Sequence, residues 1–234
     1  MRACLSVAFG IATISTLDNT MHLEFLIEDS SGEILLQSLL PKLLGAQGAP
    51  HSWRVHAYKG IGRVPKGLGK GGDPSKRILL DQLPRLLRGY GHTPSIDAVI
   101  IILDSDRRGC REFLAELQAI LAHCDPAPNA MFRLAIEEME AWYFGDRIAL
   151  QQAYPKAKPD ALERYEQDSI CNTWEMLADA IYPGGVAAIK KAGWPLPGQV
   201  KCEWAQNIGP LMDIELNASP SFCKLRDGVR HFIS

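Results

Sequence analysis

Two acidic residues end the most apolar run of the chain. Residues 98–103, Ala-Val-Ile-Ile-Ile-Leu, lead directly into Asp104-Ser-Asp106, and Pro94 and Gly109 bound the segment. A short aliphatic run of this kind predicts a strand buried on both faces of a parallel sheet. Because side chains alternate along a strand, both carboxylates would point into the crevice at its carboxyl end, where open α/β sheets bind ligands. Two carboxylates there repel each other unless a hard cation such as Mg²⁺ lies between them.

A simpler interpretation of the same two residues stays open. One aspartate would cap the helix that is predicted to begin near Arg108, and the other would be solvated. A short motif such as Asp-x-Asp also arises by chance. The residues alone therefore do not decide between a cation site and a helix cap.

Other acidic residues follow predicted strands in the same manner. A strand that begins at His22 ends in Glu28, and Glu33 falls in the first turn of the helix after it. A further apolar strand runs into Glu137 and Glu140, whose spacing places them on one face of a predicted helix. All four are candidate metal ligands. For the acids at helix starts, the alternative is a favourable interaction with the helix dipole.

A basic, glycine-rich segment overlaps and follows a second predicted short strand, Trp53–Lys59, and ends just before the predicted helix at Ile78. From Arg54 to Arg77 it holds seven Lys or Arg residues against one Asp, with six glycines among them. Such a segment can bring its backbone and its positive charges close to phosphates. The alternative is a solvated loop without a ligand. The candidate nucleic-acid-binding residues are Arg63, Lys66, Lys70, Lys76 and Arg77.

Two nucleotide-binding motifs are not expected in this chain. Gly67 to Gly72 fits G-x-G-x-x-G, but no strand directly precedes it and no helix opens at its end, so we discount a dinucleotide site. The sequence contains no G-x-x-x-x-G-K-[ST] phosphate loop. Any work driven by nucleotide hydrolysis would therefore have to come from another chain.

Composition sets the broad class of the protein. The 234 residues are 47% hydrophobic and 22% charged, with a formal net charge of -2, as in an ordinary globular protein. This charge excludes a protein that coats nucleic acid by bulk charge, although a local basic patch is compatible with it. Six scattered cysteines without Cys-x-x-Cys spacing, and no membrane-length apolar run, indicate a cytoplasmic protein without a membrane segment.

The order of predicted elements indicates an α/β fold. We expect residues 1–20 to be a disordered extension, because they resemble a signal peptide weakly and lack a clear cleavage site. Residues 21–150 would form a parallel sheet flanked by helices, and residues 151–234 a mostly helical extension packed on that core. The predicted helices are Glu33–Leu44, Ile78–Tyr90 with an interruption at Pro84, Arg108–Cys124, Glu137–Phe144, Asp160–Ile181 and Cys223–Phe232.

A glutamate after one strand, Asp-x-Asp after another and a third acidic motif resemble the Toprim domain. Toprim is the metal-binding α/β module of topoisomerases, bacterial primases and OLD-type nucleases. Several stretches of the sequence resemble more closely a bacterial Toprim-like family of unknown function, whose members are often encoded in mobile or defence-associated loci. The likeness covers Met21 to Ser234. The stretches with the most specific likeness are Leu79–Tyr90, Leu134–Asp146, Trp204–Asp213 and Asn217–Phe222.

The resemblance implies roles for particular residues. Glu28, Asp104, Asp106 and Glu140 match the metal-binding and catalytic acids of the Toprim motifs. OLD-type nucleases also place a catalytic lysine after their acidic motifs, and Lys201 is the candidate for it here. For Lys201 the alternative is an ordinary solvated surface lysine.

Two departures from the Toprim pattern leave the number of metal ions open. OLD-type nucleases usually carry a second acid four residues after the first glutamate, where this chain has Gly32, with Glu33 one place later. The glycine that often follows the first glutamate is Asp29 here. The chain thus keeps acidic residues near these motif positions, but Glu33 and Asp29 stand at other places than the family pattern gives.

Two functions follow as hypotheses. The first is a nuclease that uses Mg²⁺ or Mn²⁺ to hydrolyse phosphodiester bonds, with DNA as the expected substrate and Glu28 as general base, in a defence or mobile-element system with a partner ATPase. The second is a non-catalytic subunit of an ATPase complex that binds metal or nucleotide in the same acidic crevice. Cleavage by the purified chain separates the two.

Overall fold

The computed structural model describes residues 20–60, 62–63 and 78–234. The predicted extension, up to residue 19, and the candidate phosphate contacts Lys66, Lys70, Lys76 and Arg77 lie outside the described residues.

A four-stranded parallel sheet lies at the centre of the fold, in the order β4-β1-β5-β6. A separate two-stranded antiparallel hairpin is formed by β2 and β3. The strands are β1 (His22–Ile27), β2 (Gly45–Ala46), β3 (Ala49–Pro50), β4 (Ser52–Ala57), β5 (Ala98–Asp104) and β6 (Ala130–Ala135).

Helices cover both faces of this sheet, and the C-terminal part is helical, so the predicted α/β class is confirmed. The helices are α1 (Ser30–Leu44), α2 (Leu79–Gly91), α3 (Cys110–Ala122), α4 (Ala141–Gly145), α5 (Arg147–Ala153), α6 (Pro159–Glu163), α7 (Thr173–Ile181), α8 (Gly185–Ala192), α9 (Leu196–Ile208) and α10 (Pro220–Ile233), with a 3₁₀ turn at Gly209–Leu211.

Alternation along β5 explains the layered structure. Val99, Ile101 and Leu103 lie in one hydrophobic cluster with α2 and α3. Ile100 and Ile102 belong to the cluster on the opposite face, with α1 and the C-terminal helices. A strand flanked by helices on both faces has to be apolar on both, which is why the uninterrupted aliphatic run was a correct signal for a central parallel strand.

One core joins the sheet to the C-terminal helices. Phe25 of β1, Leu39 of α1, Trp142 of α4, Trp204 of α9 and Phe222 of α10 are all fully buried in the same cluster. Each large apolar side chain stabilises the fold by about 1.5–3 kcal/mol when it is buried. The C-terminal helices therefore complete the core on this face of the sheet.

Polar contacts add to the attachment of α10. The indole nitrogen of Trp142 donates to Ser221 Oγ at 3.0 Å, and Asn217 Nδ2 donates to the backbone carbonyl of Trp142 at 2.8 Å. Ser219 Oγ accepts a hydrogen bond from the Phe222 backbone N–H at 3.3 Å and so caps the helix. The segment before α10 is thus tied to α4.

Some predicted element bounds were wrong. The strand that contains the aliphatic run ends at Asp104, and Asp106 lies beyond it with φ +49°, in the left-handed region. The predicted helix Asp160–Ile181 is two short helices, α6 and α7, with a non-helical connection between them. The helix predicted to start at Glu137 starts at Ala141, because Glu137 itself has φ +57°.

The predicted interruption at Pro84 was also wrong, since α2 continues through it. A proline inside a helix removes one backbone hydrogen bond. Leu79, Leu80, Leu83 and Leu87 are fully buried along one face of α2, so packing outweighs that loss. Within the described ranges, no helix combines the length and apolarity needed to cross a bilayer.

Because the core is shared, we expect the chain to unfold in a single transition and residues 21–150 not to fold alone. A fragment that lacks α9 and α10 loses the burial of Trp204, Ile208 and Phe222, which at about 1.5–3 kcal/mol each is comparable to the whole stability of a typical domain. Near-UV circular dichroism during heating measures this. A cooperative melt of the fragment would contradict the shared core.

Candidate functional site

Glu28 and Asp104 lie where the winding of the sheet reverses. From β1 the chain crosses to β4 on one side, whereas β5 lies on the other side of β1. Open α/β sheets bind ligands at such a point, because the loops after the two central strands leave in opposite directions and form a crevice. Asp104 is the last residue of β5, and Glu28 directly follows β1.

The Glu28 carboxylate is poorly solvated and incompletely bonded. Its Oε2 atom is buried and has no hydrogen-bond partner among the described residues. Burial, followed by the negative charges of Asp29 and Asp106, raises the pKa of Glu28 to about 7, against a smaller opposing effect of a hydrogen bond from the Asp104 backbone. At neutral pH this side chain is therefore balanced between the acid and the carboxylate, and it can accept a proton.

Asp104 shares this environment. Burial is the main cause that raises the pKa of Asp104 well above its ordinary value, and the nearby charges of Glu28 and Glu140 raise it further. The positive charge of Lys201 acts in the opposite direction. Two neighbouring, partly buried acids with raised pKa values indicate that the described residues compensate the negative charge at this crevice only in part.

Lys201 is the cation of the site. Its Nζ lies 3.2 Å from Glu140 Oε1 and 3.9 Å from Glu138 Oε1. Only 19% of its side chain is exposed, so the alternative of a solvated surface lysine was wrong. Although burial lowers the pKa of Lys201, the carboxylates of Glu140 and Glu138 outweigh that effect and the pKa is raised. Lys201 is thus a fixed positive charge.

Glu138 was missed by the sequence analysis. Burial raises the pKa of Glu138 to about 7, with Lys201 opposing the shift and Glu140 adding to it. One of its oxygens, Oε2, accepts the backbone N–H of Trp174 at 3.0 Å. The only signal for it was its place between two other glutamates, in Glu137-Glu-Met-Glu140.

Glu137 does not join the carboxylates around Lys201. Its two oxygens accept the backbone N–H groups of Cys171, Asn172 and Thr173 at 2.9 to 3.0 Å, and the Thr173 hydroxyl at 2.6 Å. Although burial alone would raise the pKa of Glu137, the hydrogen bonds from Thr173 and its neighbours lower it. We therefore assign Glu137 to holding the start of α7, which differs from the metal-ligand role that the sequence predicted.

Asp106 and Glu33 lie at the edge of the site. Asp106 is exposed, and its Oδ2 atom lies 3.8 Å from a nitrogen of Arg108. Neither aspartate of Asp-x-Asp caps the following helix, since Gly109 holds the N-cap position without a side-chain bond. The helix-cap alternative was therefore wrong. Glu33 lies in the first turn of α1 and is not among the charges that most affect Glu28 and Asp104.

Asp29 is a second acid that the sequence analysis did not count as a site residue. It caps α1, since its Oδ1 atom accepts the Gly32 backbone N–H at 2.8 Å. Its charge also raises the pKa values of Glu28 and Asp104. A helix cap can therefore contribute to the electrostatics of a site at the same time.

The donor atoms fit a hard cation. Among the described residues, no three His, Cys, Asp or Glu side chains already form a group that could hold a metal ion. Mg²⁺, however, usually keeps several waters and is bound by one or two carboxylates together with phosphate oxygens. The unpartnered Oε2 of Glu28 and the raised pKa of Asp104 are the kind of uncompensated oxygen donors that such binding uses.

Of the five candidate nucleic-acid-binding residues, Arg63 is the one that lies among the described residues. Arg63 is exposed, and its backbone N–H lies 3.5 Å from Asp81 Oδ1 at the start of α2. The backbone N–H of Leu79 donates to the carbonyl of Gly60 at 3.2 Å, which brings together the residues just before and just after the stretch 61–78. This stretch therefore leaves and rejoins the described fold just beyond β4, beside the carboxyl ends of the strands.

Comparison of the chain with known proteins found no match. No family model matches it, and no curated protein or solved structure is significantly similar to it. The Toprim resemblance therefore stays a prediction from the residues quoted above.

The raised pKa of Glu28 predicts that this residue destabilises the folded state above pH 4.5. As pH rises from 4.5 to about 7, the unfolded chain loses this proton before the folded chain does, so stability falls over that range. In the presence of a chelator, Glu28→Gln should be more stable than wild type at pH 8, by about 1–3 kcal/mol, and equal to it at pH 4.

Urea denaturation across this pH range is the measurement. The exposed residue Glu163, changed to Gln, is the matched control and should leave the curve unchanged. If Glu28→Gln is less stable than wild type at pH 8, the carboxylate is compensated and the account of this site is wrong.

Proposed function

We propose that this crevice binds Mg²⁺ or Mn²⁺ and that the protein hydrolyses phosphodiester bonds of nucleic acid, with DNA as the substrate. The observation that carries the proposal is the pair of partly buried carboxylates with raised pKa values, Glu28 and Asp104, at the point where the sheet winding reverses. Neither a packing role nor a helix cap accounts for a buried glutamate oxygen without a partner.

The residues that would hold the cation are Glu28 and Asp104, with Asp106 at the open side. When bound, a divalent cation supplies Lewis acidity and neutralises negative charge that develops on the scissile phosphate. A cation would also lower the cost of ionising the two buried acids, because an opposite charge favours the carboxylate form.

Glu28 is suited to act as the general base. Proton transfer is most efficient when the pKa of the base lies near the working pH. Without a cation the pKa of Glu28 is about 7, and a bound cation would lower it, so that Glu28 would be ionised at neutral pH. Glu28 would accept a proton from the attacking water. Activity should then rise with pH as Glu28 loses its own proton.

Lys201 and Glu140 would act through charge and position. Because the pKa of Lys201 is raised, it keeps its proton and is unsuited to deliver one. Its ammonium group holds Glu140 at 3.2 Å and places a positive charge near Asp104. We infer that Lys201 sets how much negative charge the crevice presents.

The substrate would be held by the basic segment. An acidic crevice repels a phosphate backbone, so affinity has to come from positive charges outside it. Lys59 is exposed after β4, and Arg63, Lys66, Lys70, Lys76 and Arg77 follow in sequence. These residues would contact phosphates without selecting a base sequence.

The resemblance adds a partner to the proposal. Members of the similar family occur in defence or mobile loci, and we infer from this that a partner ATPase works with the chain. A non-catalytic subunit that only binds metal or nucleotide is the alternative, and it predicts metal binding without cleavage.

The test is cleavage of supercoiled plasmid by the purified protein. With Mg²⁺ or Mn²⁺, wild type should nick or cut the plasmid, and Glu28→Gln should reduce the rate by about 10²-fold or more, because it loses both the base and a charged ligand. Glu33→Gln is the matched control, an acid on the first turn of α1, and should keep most of the rate.

A rate that rises with pH to a plateau, with its midpoint at or below pH 7, supports Glu28 as the base. If wild type cuts nothing with either metal, with and without a co-purified ATPase, the nuclease proposal fails and the binding-subunit alternative replaces it.

A further inference from the structure

A cleft of about 950 Å³ opens beside the acidic crevice. One wall is the start of α1, from Asp29 to Ser31, and another is the segment after β4, from Tyr58 to Gly60. The third wall comes from the start of α9 and the residues just before it, including Trp194, Gln199 and Cys202. Asp29 belongs both to this cleft and to the charges that act on Glu28, so the two sites are continuous.

Trp194 stands out at the rim of this cleft. It is 88% exposed, whereas Trp53, Trp142 and Trp204 are at most 9% exposed and Trp174 is half-buried. A tryptophan left in water forgoes the large stabilisation that its burial would supply. A flat aromatic surface at the mouth of a cleft is suited to stack against a planar ligand.

The rest of the lining carries polar and charged groups, which an apolar protein segment would leave unpaired. Lys59 supplies a positive charge, Asp29 and Glu203 supply carboxylates, and the side-chain amides of Gln199 and Gln206 can donate and accept hydrogen bonds. A phosphate would therefore have to lie on the Lys59 side of the cleft, and the polar edge of a base could contact the amides. A volume of about 950 Å³ lies at the upper end of the range for small-molecule sites, so it has room for a base with its sugar and phosphate.

We propose that this cleft holds an unpaired nucleobase of single-stranded DNA, stacked on the Trp194 indole, next to the acidic crevice. The choice of DNA rests on the proposed nuclease function. The phosphate beside the stacked base would then lie towards Glu28 and Asp104, and Lys59 would contact the strand as it leaves. In a duplex both faces of each base are already stacked within the helix, so duplex DNA would not offer a base to Trp194.

The experiment is a titration of fluorescein-labelled oligonucleotides with protein, measured by fluorescence anisotropy, so that the affinity of every variant is read without the Trp194 indole. The full-length protein carries Glu28→Gln, so that no strand is cut, and Mg²⁺ is present. A single-stranded oligothymidine should bind and should also quench the tryptophan emission. Trp194→Ala in the same background should weaken binding by about 5- to 150-fold, the range expected for the loss of one base–aromatic stack. Trp194→Phe should keep most of the affinity, because phenylalanine retains an aromatic face.

The controls separate stacking from other effects. Leu216 is also exposed, at 69%, and lies outside the cleft lining, so Leu216→Ala should bind the oligonucleotide as the parent protein does. A duplex of the same length should bind more weakly, and Trp194→Ala should not change its affinity.

Several results would overturn the inference. The first is that Trp194→Ala binds the single strand as tightly as its parent does. The second is that Trp194→Ala weakens binding of the duplex as much as binding of the single strand. The third is that thymidine monophosphate binds as tightly as the oligonucleotide. A changed oligomeric state of Trp194→Ala on gel filtration would instead indicate an interface between copies.

Plasmid cleavage distinguishes failure of this inference from failure of the proposed function. If single-stranded DNA binds in a Trp194-dependent way but wild type cuts no plasmid, the nuclease proposal alone is rejected. If wild type cuts the plasmid but binding does not depend on Trp194, the proposal for this cleft alone is rejected.

Discussion

Partial burial of several carboxylates near Lys201 is the constraint on which this site depends. The charge of Glu28 raises the pKa of Asp104, and the charge of Glu140 raises the pKa values of Asp104 and Glu138. In the described part of the chain, Lys201 is the cation paired with Glu138 and Glu140. Buried like charges repel strongly, and each raises the pKa of its neighbours. The folded state therefore carries an electrostatic cost that its packing has to offset, which is common at functional sites.

The rest of the fold brings these groups together from distant parts of the chain. Glu28 follows β1, Asp104 ends β5, Glu140 precedes α4, and Lys201 lies on α9. The shared core of the sheet, α1 and the C-terminal helices holds α9 against α1. Without that packing the lysine would not reach the acids. The helical C-terminal part is thus a component of the site as well as of the core.

The sequence predicted most of the sheet and two of the central acids. Unbroken aliphatic residues indicate a doubly covered strand, and a carboxylate at the end of such a strand falls at the carboxyl edge whatever the rest of the fold does. Asp106 was placed by the same alternation, but the chain leaves the strand at Asp104, so alternation no longer applies to it. Glu137 and Glu140 were predicted to share a helix face, but Glu137 has a positive φ and lies before α4, so helical spacing does not apply to this pair. Lys201 came from a resemblance only, and Asp29, Glu138 and Trp194 depend on tertiary contacts that no local pattern contains.

The most direct test of the central claim is the effect of Mg²⁺ on the melting temperature, measured by calorimetry at pH 6 and pH 8. A ligand present at about 100 times its Kd stabilises the folded state by about 2.7 kcal/mol, which for a chain of this size corresponds to about 5–10 °C. The account predicts a saturable rise in wild type that is larger at pH 8, where the buried acids ionise more readily, and no rise in Asp104→Asn. An equal rise in Asp104→Asn, or none in wild type at either pH, would contradict it.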